Sequence, residues 1–345
     1  MSGPDAKSAR ALILGCAGAS LKDEERRFFR EADPLGFILF DRNCEAPDQL
    51  RALIADLRAT VGRADAPVLI DQEGGRVCRL HPPHWRKLPP PRRFGELAER
   101  NPEAALEATW LNARLLAGEL HALGITLDCT PVLDLPVAGA DPVIGDRAFG
   151  GDAERTASLG RAVCEGLLAG GVLPVLKHIP GHGRARADSH LALPVVETPA
   201  DELEATDFRP FRLLSGMPLA MTAHIVYTAL DPAQPATLSK PVIEGVIRKQ
   251  IGFDGLLMTD DVSMAALEGA LGARARAALA AGCDVVLHCN GKLAEMTALA
   301  EAVGRLEKAA FDRLSRAEAC RREATKDEDM EALAARFAEL MKKAP

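Results

Sequence analysis

Aromatic side chains are scarce in this sequence. Phe, Trp and Tyr make up 4% of the 345 residues, with a single Tyr and two Trp. Proteins that hold long strands stack successive bases or rings on aromatic side chains. The composition therefore argues against a binding surface for many bases or many sugar rings. A pocket for one or two rings needs fewer aromatics.

Paired cysteine motifs are also missing. No Cys-x-x-Cys occurs, and several cysteines lie in apolar segments. Disulfide frameworks are typical of small secreted domains. A chain of this length with 48% hydrophobic residues buries a sizeable core without one. We therefore expect reduced, buried thiols and a cytoplasmic protein. The eight cysteines stand at positions 16, 44, 78, 129, 164, 283, 289 and 320.

Signals for a membrane, a nucleic acid or a phosphate loop are missing too. The apolar run before Cys16 spans only 11–14, shorter than the ~7 residues of a signal-peptide core, so it predicts a strand. No apolar run approaches the ~20 residues of a membrane span, and no glycine-rich phosphate loop occurs. The net charge of −7 comes from 42 basic and 49 acidic residues that are interspersed. We expect neither a nucleic acid nor a membrane as partner, and a monomer or weak homodimer.

Short apolar segments alternate with helical segments along the chain. The apolar segments are nearly continuous, as is typical of parallel strands buried on both faces. Eight such segments separated by helices predict an α/β fold of the (β/α)₈ TIM-type barrel class, with a doubly wound open sheet as the alternative. The predicted strands are Ala11–Cys16, Gly36–Phe40, Pro67–Asp71, Ile125–Cys129, Val172–His178, Leu219–His224, Gly255–Asp260 and Cys283–His288.

Helical periodicity completes the pattern and sets the domain boundaries. The charged segment from about 305 onward has apolar residues at helical spacing, and no linker or internal repeat marks a second domain. We predict a single catalytic domain over 1–345, with the barrel at about 11–300 and C-terminal helices at about 305–345. Within the barrel, the predicted helices include Leu50–Val61, Ala104–Leu123, Arg155–Ala169 and Ala265–Ala281.

Polar residues follow the predicted strands at one end. Active sites of (β/α)₈ barrels lie at the C-terminal ends of the strands, whereas core residues have no reason to prefer that end. The sequence therefore predicts that these side chains converge on one mouth. They are Asp71, Asp128, Asp134, Lys177, His178, His224, Asp260, His288 and Asn290.

The densest polar segment reads Lys-His-Ile-Pro-Gly-His-Gly over 177–183 and Asp-Ser-His over 188–190. Its proline and glycines exclude a helix. Asp188 and His190 are two residues apart, so in an extended segment they point to the same side. The carboxylate would then favour the protonated imidazole, which can donate a proton to a leaving group and later accept one from water. The alternative is an Asx turn beside a surface histidine.

A second chemical group is the carboxylate pair that ends the seventh strand. An ionised Asp260 at a barrel mouth suits a nucleophile. Asp261 is better placed to cap the following segment or to support the site from behind. His178 and His182 have the spacing of a helical metal pair, but the intervening Pro180 denies the helix, so we expect no metal.

Five further residues are candidates for binding a hydroxyl-rich ligand. Asp71 is followed by Gly74 and Gly75, which permit close approach, and its carboxylate can accept hydrogen bonds. A turn or cap is the alternative role for Asp71, and a surface ion pair is the alternative for each basic residue. The candidate donors are Arg79, Arg147, Lys177 and His178.

These motifs together resemble the β-N-acetylhexosaminidases of glycoside hydrolase family 3, of the single-domain bacterial type that recycles cell-wall fragments. The resemblance covers about residues 11–300. It is carried by Leu-Phe-Asp-Arg-Asn at 39–43, Ile-Asp-Gln-Glu-Gly-Gly-Arg-Val at 70–77, the two segments at 177–183 and 188–190, and Met-Thr-Asp-Asp-Val-Ser-Met at 258–264.

The resemblance implies a retaining, two-step hydrolysis of terminal non-reducing N-acetylglucosamine from small muropeptide-like glycans. It implies that Asp260 is the nucleophile and that His190, oriented by Asp188 on a mobile loop, is the general acid/base. It implies no metal and no cofactor. The positions that match sugar-binding residues are Asp71, Arg79, Arg147, Lys177 and His178.

Alternatives remain within and outside this family. Most retaining glycosidases use a carboxylic acid as proton donor. A histidine leaves less negative charge in the site, which favours an anionic acceptor and hence phosphorolysis. A β-glucosidase is the other alternative within the family. Outside it, the alternatives are a metal-dependent barrel hydrolase and a non-catalytic sugar-binding protein. The segment 265–270 is shorter than the family pattern leads us to expect, which affects the shape of that loop.

Overall fold

Eight parallel strands close into a barrel in this structure, a computed structural model that describes residues 6–323 and 328–342. With two further strands outside the barrel, the strands of the described residues are β1 (Arg10–Gly15), β2 (Pro34–Leu39), β3 (Val68–Ile70), β4 (Leu127–Asp128), β5 (Leu173–Ile179), β6 (Val195–Val196), β7 (Leu219–Thr222), β8 (Val226–Tyr227), β9 (Leu256–Asp261) and β10 (Val285–His288). Around the barrel the order is β1, β10, β9, β7, β5, β4, β3, β2, and β6 pairs with β8 outside it. The predicted (β/α)₈ class is confirmed, and each predicted strand overlaps one barrel strand.

Helices separate most of the strands. Three predicted helical segments, at 50–61, 104–123 and 155–169, each lie within an α-helix of the structure. The described α-helices are α1 (Asp23–Ala32), α2 (Pro47–Val61), α3 (Pro91–Arg100), α4 (Pro102–Leu123), α5 (Ala153–Ala169), α6 (Ala200–Ala205), α7 (Arg209–Leu213), α8 (Leu271–Ala281), α9 (Leu293–Ala302), α10 (Lys308–Glu323) and α11 (Met330–Met341). A π-helix spans Pro241–Gln250.

Side-chain chemistry at the ends explains where the long helices start and stop. The Asn101 side chain accepts a hydrogen bond from the backbone N–H of Ala104, and Pro102 occupies the first turn of α4, where its missing N–H costs nothing. Gly124 ends the same helix with φ of 88°, a conformation that favours glycine. Asp152 caps α5 in the same way as Asn101 caps α4.

The predicted helix over 265–281 is wrong in its first six residues. The structure has turns there, and α8 begins only at Leu271. Gly269 has φ of +87°, which a right-handed helix does not allow. The alanines and the leucine of this segment have high helix propensity, but they occupy a loop that packs beside the C-terminal end of β9. Tertiary packing thus overrides local preference.

Apolar strands form the centre of the molecule. Every residue of β2 and of β5 is buried, as continuous hydrophobicity predicts for strands covered on both faces. Outside the barrel wall, the ring of Phe29 on α1 meets that of Phe37 on β2 edge-on at 5.2 Å. Helix and sheet therefore share one core, which fixes the strand ends that carry the polar residues.

The two C-terminal helices follow the barrel in sequence. Helix α11 packs on α3 and α4, where the ring centroids of Phe337 and Phe94 are 6.4 Å apart. Arg336 donates two hydrogen bonds to the Glu107 carboxylate, at 2.7 and 2.8 Å. The predicted single domain over 1–345 stays a prediction, and its residues 1–5, 324–327 and 343–345 lie outside the described residues.

All eight cysteines are free thiols, and five of them are buried. Over the described ranges, no helix has the length and apolar character needed to cross a membrane.

Candidate active site

One cavity of about 460 Å³ opens at the C-terminal ends of the barrel strands. Its volume falls in the range of about 300–1,000 Å³ that is usual for small-molecule sites. Every one of the predicted site residues lines this cavity, although they come from segments far apart in sequence. They are Asp71, Arg79, Arg147, Lys177, His178, Asp188, His190 and Asp260.

A buried ion-pair network forms one wall of the cavity. The Lys177 ammonium lies 2.8 Å from Oδ1 of Asp71 and 2.6 Å from Oε1 of Glu73. Arg147 donates two parallel hydrogen bonds, both 2.8 Å, to the Glu73 carboxylate, and Arg79 donates to Asp71 at 3.2 Å. Charge-assisted pairs of this geometry hold each side chain in one position. The cationic groups are therefore already oriented before a ligand arrives.

Charge balance in this network keeps both carboxyl groups ionised. Burial alone would raise the pKa of Asp71, but Lys177 and Arg79 outweigh it and hold the pKa well below its usual range. For Glu73, burial is opposed by Lys177 and Arg147, which lower the pKa to about 2. Both groups are thus anionic acceptors at neutral pH.

Glu73 also lines the cavity, although it is not among the site residues predicted from the sequence. Its side chain is completely buried and joins two of the predicted ligand-binding cations. A signal was available, because Asp71 and Glu73 are two residues apart and point to the same side of an extended segment. Its cationic partners, Lys177 and Arg147, lie 104 and 74 positions away, and no local pattern links them to Glu73.

The Lys-His-Ile-Pro-Gly-His-Gly segment is organised by Asp134. Oδ2 of Asp134 lies 2.7 Å from Nδ1 of His178, and Oδ1 accepts the backbone N–H groups of His178 and His182 at 3.2 and 2.6 Å. The Lys177–His178 peptide bond is cis, and both side chains line the cavity. The only tyrosine of the sequence, Tyr227, donates a hydrogen bond to the Gly181 carbonyl. One carboxylate and one hydroxyl thus hold the loop.

From the sequence, His182 was considered only as a possible metal ligand together with His178, and no metal was expected. In the structure, His182 packs between His178 and Ser189. The ring is buried, lies 5.5 Å from the ring of His178, and contacts Ser189. Burial and the neighbouring His178 lower the pKa of His182 to about 4, so the ring is neutral at neutral pH. Across the described ranges, no group of three or more His, Cys, Asp or Glu side chains has a geometry that could hold a metal ion.

Asp188 and His190 do form a pair, but the extended segment invoked for them is wrong. The residues lie in a turn. Oδ1 of Asp188 accepts the backbone N–H of His190 at 2.9 Å and lies 2.7 Å from its Nδ1. This is an Asx turn, so the two alternatives considered from the sequence coexist in one structure. The His190 side chain is 64% exposed and faces the cavity from its rim.

Asp260 lies at the end of β9 on the cavity wall. Its Oδ1 accepts the backbone N–H of Asp261 at 2.7 Å, which orients the carboxylate. The Asp261 carboxylate instead accepts the backbone N–H and the hydroxyl of Ser263, at 2.9 and 2.8 Å, and so stabilises the turn that follows. The adjacent carboxylates therefore make different contacts.

The expectation that all strand-end polar residues converge on the mouth is wrong for four of them. All four are 0% exposed, so they lie behind the cavity wall and not on its surface. His224, for example, is fully buried and contacts Thr237 at 2.7 Å and the Asp261 carbonyl at 3.0 Å. Burial also raises the pKa of Asp128 to about 7. The four residues that do not line the cavity are Asp128, Asp134, His224 and His288.

The barrel and its cavity define an α/β-barrel enzyme that gathers carboxylates, histidines and buried cations at the C-terminal ends of its strands. Comparison with protein families makes the assignment specific. The model of the glycosyl hydrolase family 3 N-terminal domain matches residues 12–318. The chain therefore belongs to glycosyl hydrolase family 3, and it is a glycoside hydrolase.

Individual relatives agree with this assignment. The chain is 43% identical over 287 residues to a beta-hexosaminidase of Thiobacillus denitrificans, covering 81% of this chain and 78% of the relative. It is 40% identical over 312 residues to a beta-hexosaminidase of Pseudomonas aeruginosa, covering 89% and 90%. The crystal structure of NagZ from Neisseria gonorrhoeae in complex with N-trifluoroacetyl-D-glucosamine superimposes with a TM-score of 0.86 at 34% identity, covering 97% and 98%. The predicted resemblance is confirmed.

Proposed function

We propose that this glycoside hydrolase is a retaining β-N-acetylhexosaminidase that removes terminal, non-reducing N-acetylglucosamine from small cell-wall glycans of the muropeptide type. The observation that carries the proposal is that Asp260 and the Asp188–His190 pair line the same cavity. Displacement at a sugar carbon needs a nucleophile on one side and a proton donor for the leaving oxygen.

In the first step, the Asp260 carboxylate attacks the anomeric carbon while the bond from that carbon to the glycosidic oxygen breaks. His190 transfers a proton to the oxygen, so the aglycone leaves as an alcohol and the sugar is bound covalently to Asp260. Asp188 contacts Nδ1 of His190. Nε2 is therefore the nitrogen that delivers the proton, and the Asp188 carboxylate orients the ring.

In the second step, the neutral His190 accepts a proton from water as the water oxygen attacks the anomeric carbon. The bond to Asp260 breaks, and its carboxylate is restored. Two displacements at one carbon give net retention of configuration. The high side-chain exposure of His190, 64%, is compatible with the access to water that this step needs.

The buried network is proposed to hold the sugar. Asp71 accepts hydrogen bonds from sugar hydroxyls, because its low pKa keeps it ionised. Lys177, Arg147 and His178 donate hydrogen bonds to hydroxyls or to the acetamido oxygen. Arg79, which donates a hydrogen bond to Asp71, is a further donor to the sugar. Since these side chains are fixed by Glu73 and Asp134, little conformational entropy is lost on binding.

Support for the substrate comes from the relatives, and support for the compartment comes from the thiols. The Neisseria gonorrhoeae structure contains N-trifluoroacetyl-D-glucosamine, an N-acylated glucosamine, which supports N-acetylglucosamine as the sugar here. The muropeptide aglycone rests on the motif resemblance. Eight unpaired cysteines support a reducing compartment, and we propose that the enzyme acts in the cytoplasm. The monomer or weak homodimer expected from the sequence stays a prediction.

Covalent trapping tests the mechanism. A fluorinated N-acetylglucosaminyl substrate with an activated leaving group should form the glycosyl-enzyme quickly and hydrolyse it slowly. Mass spectrometry of the digested protein should then locate the added sugar on Asp260. A label on another residue, or none during turnover of the aryl substrate, contradicts the proposal. In an assay of turnover, the enzyme should hydrolyse an aryl N-acetylglucosaminide faster than an aryl glucoside.

Glu73→Gln should weaken substrate binding. The substitution keeps the shape but removes the charge that holds Lys177 and Arg147, so we expect kcat/KM for an aryl N-acetylglucosaminide to fall by about 10–100-fold, mostly through KM. Steady-state kinetics measure the effect. Glu119→Gln, which breaks the pair with Arg86 at 2.9 Å outside the cavity, is the matched control. Equal kinetics for the two variants would contradict the role of Glu73.

A further inference from the structure

The Asp188–His190 pair is assembled inside a single turn. The carbonyl of Asp188 accepts the backbone N–H groups of Leu191 and Ala192 at 2.9 and 3.0 Å, and its side chain accepts that of His190. These contacts involve only neighbouring residues. They fix the imidazole relative to its carboxylate, but they do not fix the turn relative to the cavity.

Ser189, the middle residue of the turn, also lines the cavity but is buried against other segments. It is 3% exposed, whereas the side chain of His190 is 64% exposed. The Ser189 hydroxyl lies 3.2 Å from Nε2 of His182, and its carbonyl accepts the backbone N–H of Ala266 at 3.2 Å. In the described part of the chain, these are the hydrogen bonds that join 186–193 to other segments.

We propose that Ser189 is a positioning residue that holds the Asp188–His190 pair over the cavity through its hydrogen bonds to His182 and to the loop 262–270. This inference rests on the proposed function, since it assigns Ser189 a role that acts through the proton donor. It also links both halves of the reaction, because the loop 262–270 directly follows Asp260 and Asp261.

The His182 anchor of Ser189 is itself fixed. His182 is 3% exposed, and its backbone N–H is bound by Asp134 at 2.6 Å. Asp134 also binds His178, so the same carboxylate positions a sugar-binding residue and the anchor of the acid/base turn. Burial and the neighbouring His178 keep the His182 ring neutral at neutral pH, so its contact with Ser189 involves an uncharged ring.

A double-mutant cycle tests this inference. The variants are Ser189→Ala, His190→Ala and the double variant, assayed as kcat/KM with phenyl and 2,4-dinitrophenyl β-N-acetylglucosaminides. The phenyl leaving group needs a proton and the dinitrophenyl group does not. Ser189→Ala should lower kcat/KM for the phenyl substrate by about 10-fold or more and for the dinitrophenyl substrate by no more than about 3-fold. In the His190→Ala background, Ser189→Ala should have no further effect on the phenyl substrate.

Each outcome of the cycle decides one point. Additive losses in the two backgrounds, or equal losses on both substrates, overturn the positioning role of Ser189. If His190→Ala alone affects both substrates equally, the proton donor of the proposed function is wrong, and the two failures are thus distinguishable. Ser239→Ala is the matched control for loss of a buried serine hydroxyl, because Ser239 is 1% exposed and bonds to Asp231. Ser189→Cys keeps the shape with weaker hydrogen bonding and replaces Ser189→Ala should that variant not fold.

Discussion

Asp260→Ala should reduce turnover of an aryl N-acetylglucosaminide by about 10⁴-fold or more, because the substitution removes the carboxylate proposed to form the covalent intermediate. Azide should restore part of the activity with an activated leaving group. The anion enters the space left by the carboxylate and attacks from the same side, so the product is a glycosyl azide of inverted configuration. Product analysis by NMR distinguishes it from the retained sugar that the unmodified enzyme releases.

The neighbouring carboxylate provides the control for this experiment. The Asp261 carboxylate is held by Ser263 and is not the proposed nucleophile. Asp261→Asn should therefore lose far less activity, at most about 10-fold, and azide should have no effect on it. If Asp261→Asn lost as much activity as Asp260→Ala, and azide restored activity only in Asp261→Asn, then Asp261 and not Asp260 would be the nucleophile.

His190→Ala should separate substrates by their leaving groups. For a phenyl glycoside or a disaccharide, kcat/KM should fall by about 10²–10⁴-fold, because the departing oxygen lacks a proton. For a 2,4-dinitrophenyl glycoside it should change by less than about 10-fold. The parameter kcat/KM reports only the steps up to departure of the aglycone, so the role of His190 in the later hydrolysis does not enter.

His81 offers a matched control for this substitution. It pairs with Asp41 at 3.0 Å and is 59% exposed, much like His190, but it does not line the cavity. His81→Ala should therefore leave the ratio of the two kcat/KM values unchanged. Equal losses on both leaving groups in His190→Ala would remove the histidine from the proton-donor role.

The barrel could be predicted well because its signal is local. Each strand is a continuous apolar run, and burial on both faces needs no long-range information to be seen. The failures came where local preference and packing disagree. The residues 265–270 have helix-forming composition, yet Gly269 adopts a left-handed φ and α8 starts later.

The site could be predicted in part, and the division follows from chain distance. Asp188 and His190 were paired correctly since they are neighbours, although the turn geometry was not foreseen. Glu73 and Ser189 were missed because their partners, Lys177 and His182 among them, are fixed by the closed barrel and by loop packing. Position at a strand end predicted which polar residues lie near the cavity. It did not predict which of them, such as His224, are buried behind its wall.

The Asx turn of Asp188 and His190 separates two tasks within this loop. Three consecutive residues set the distance between the carboxylate and the imidazole. The contacts of the turn with His182 and Ala266, on two other segments, set where that pair lies relative to the cavity. A substitution in those segments can therefore shift the pair as one body while its internal geometry is kept.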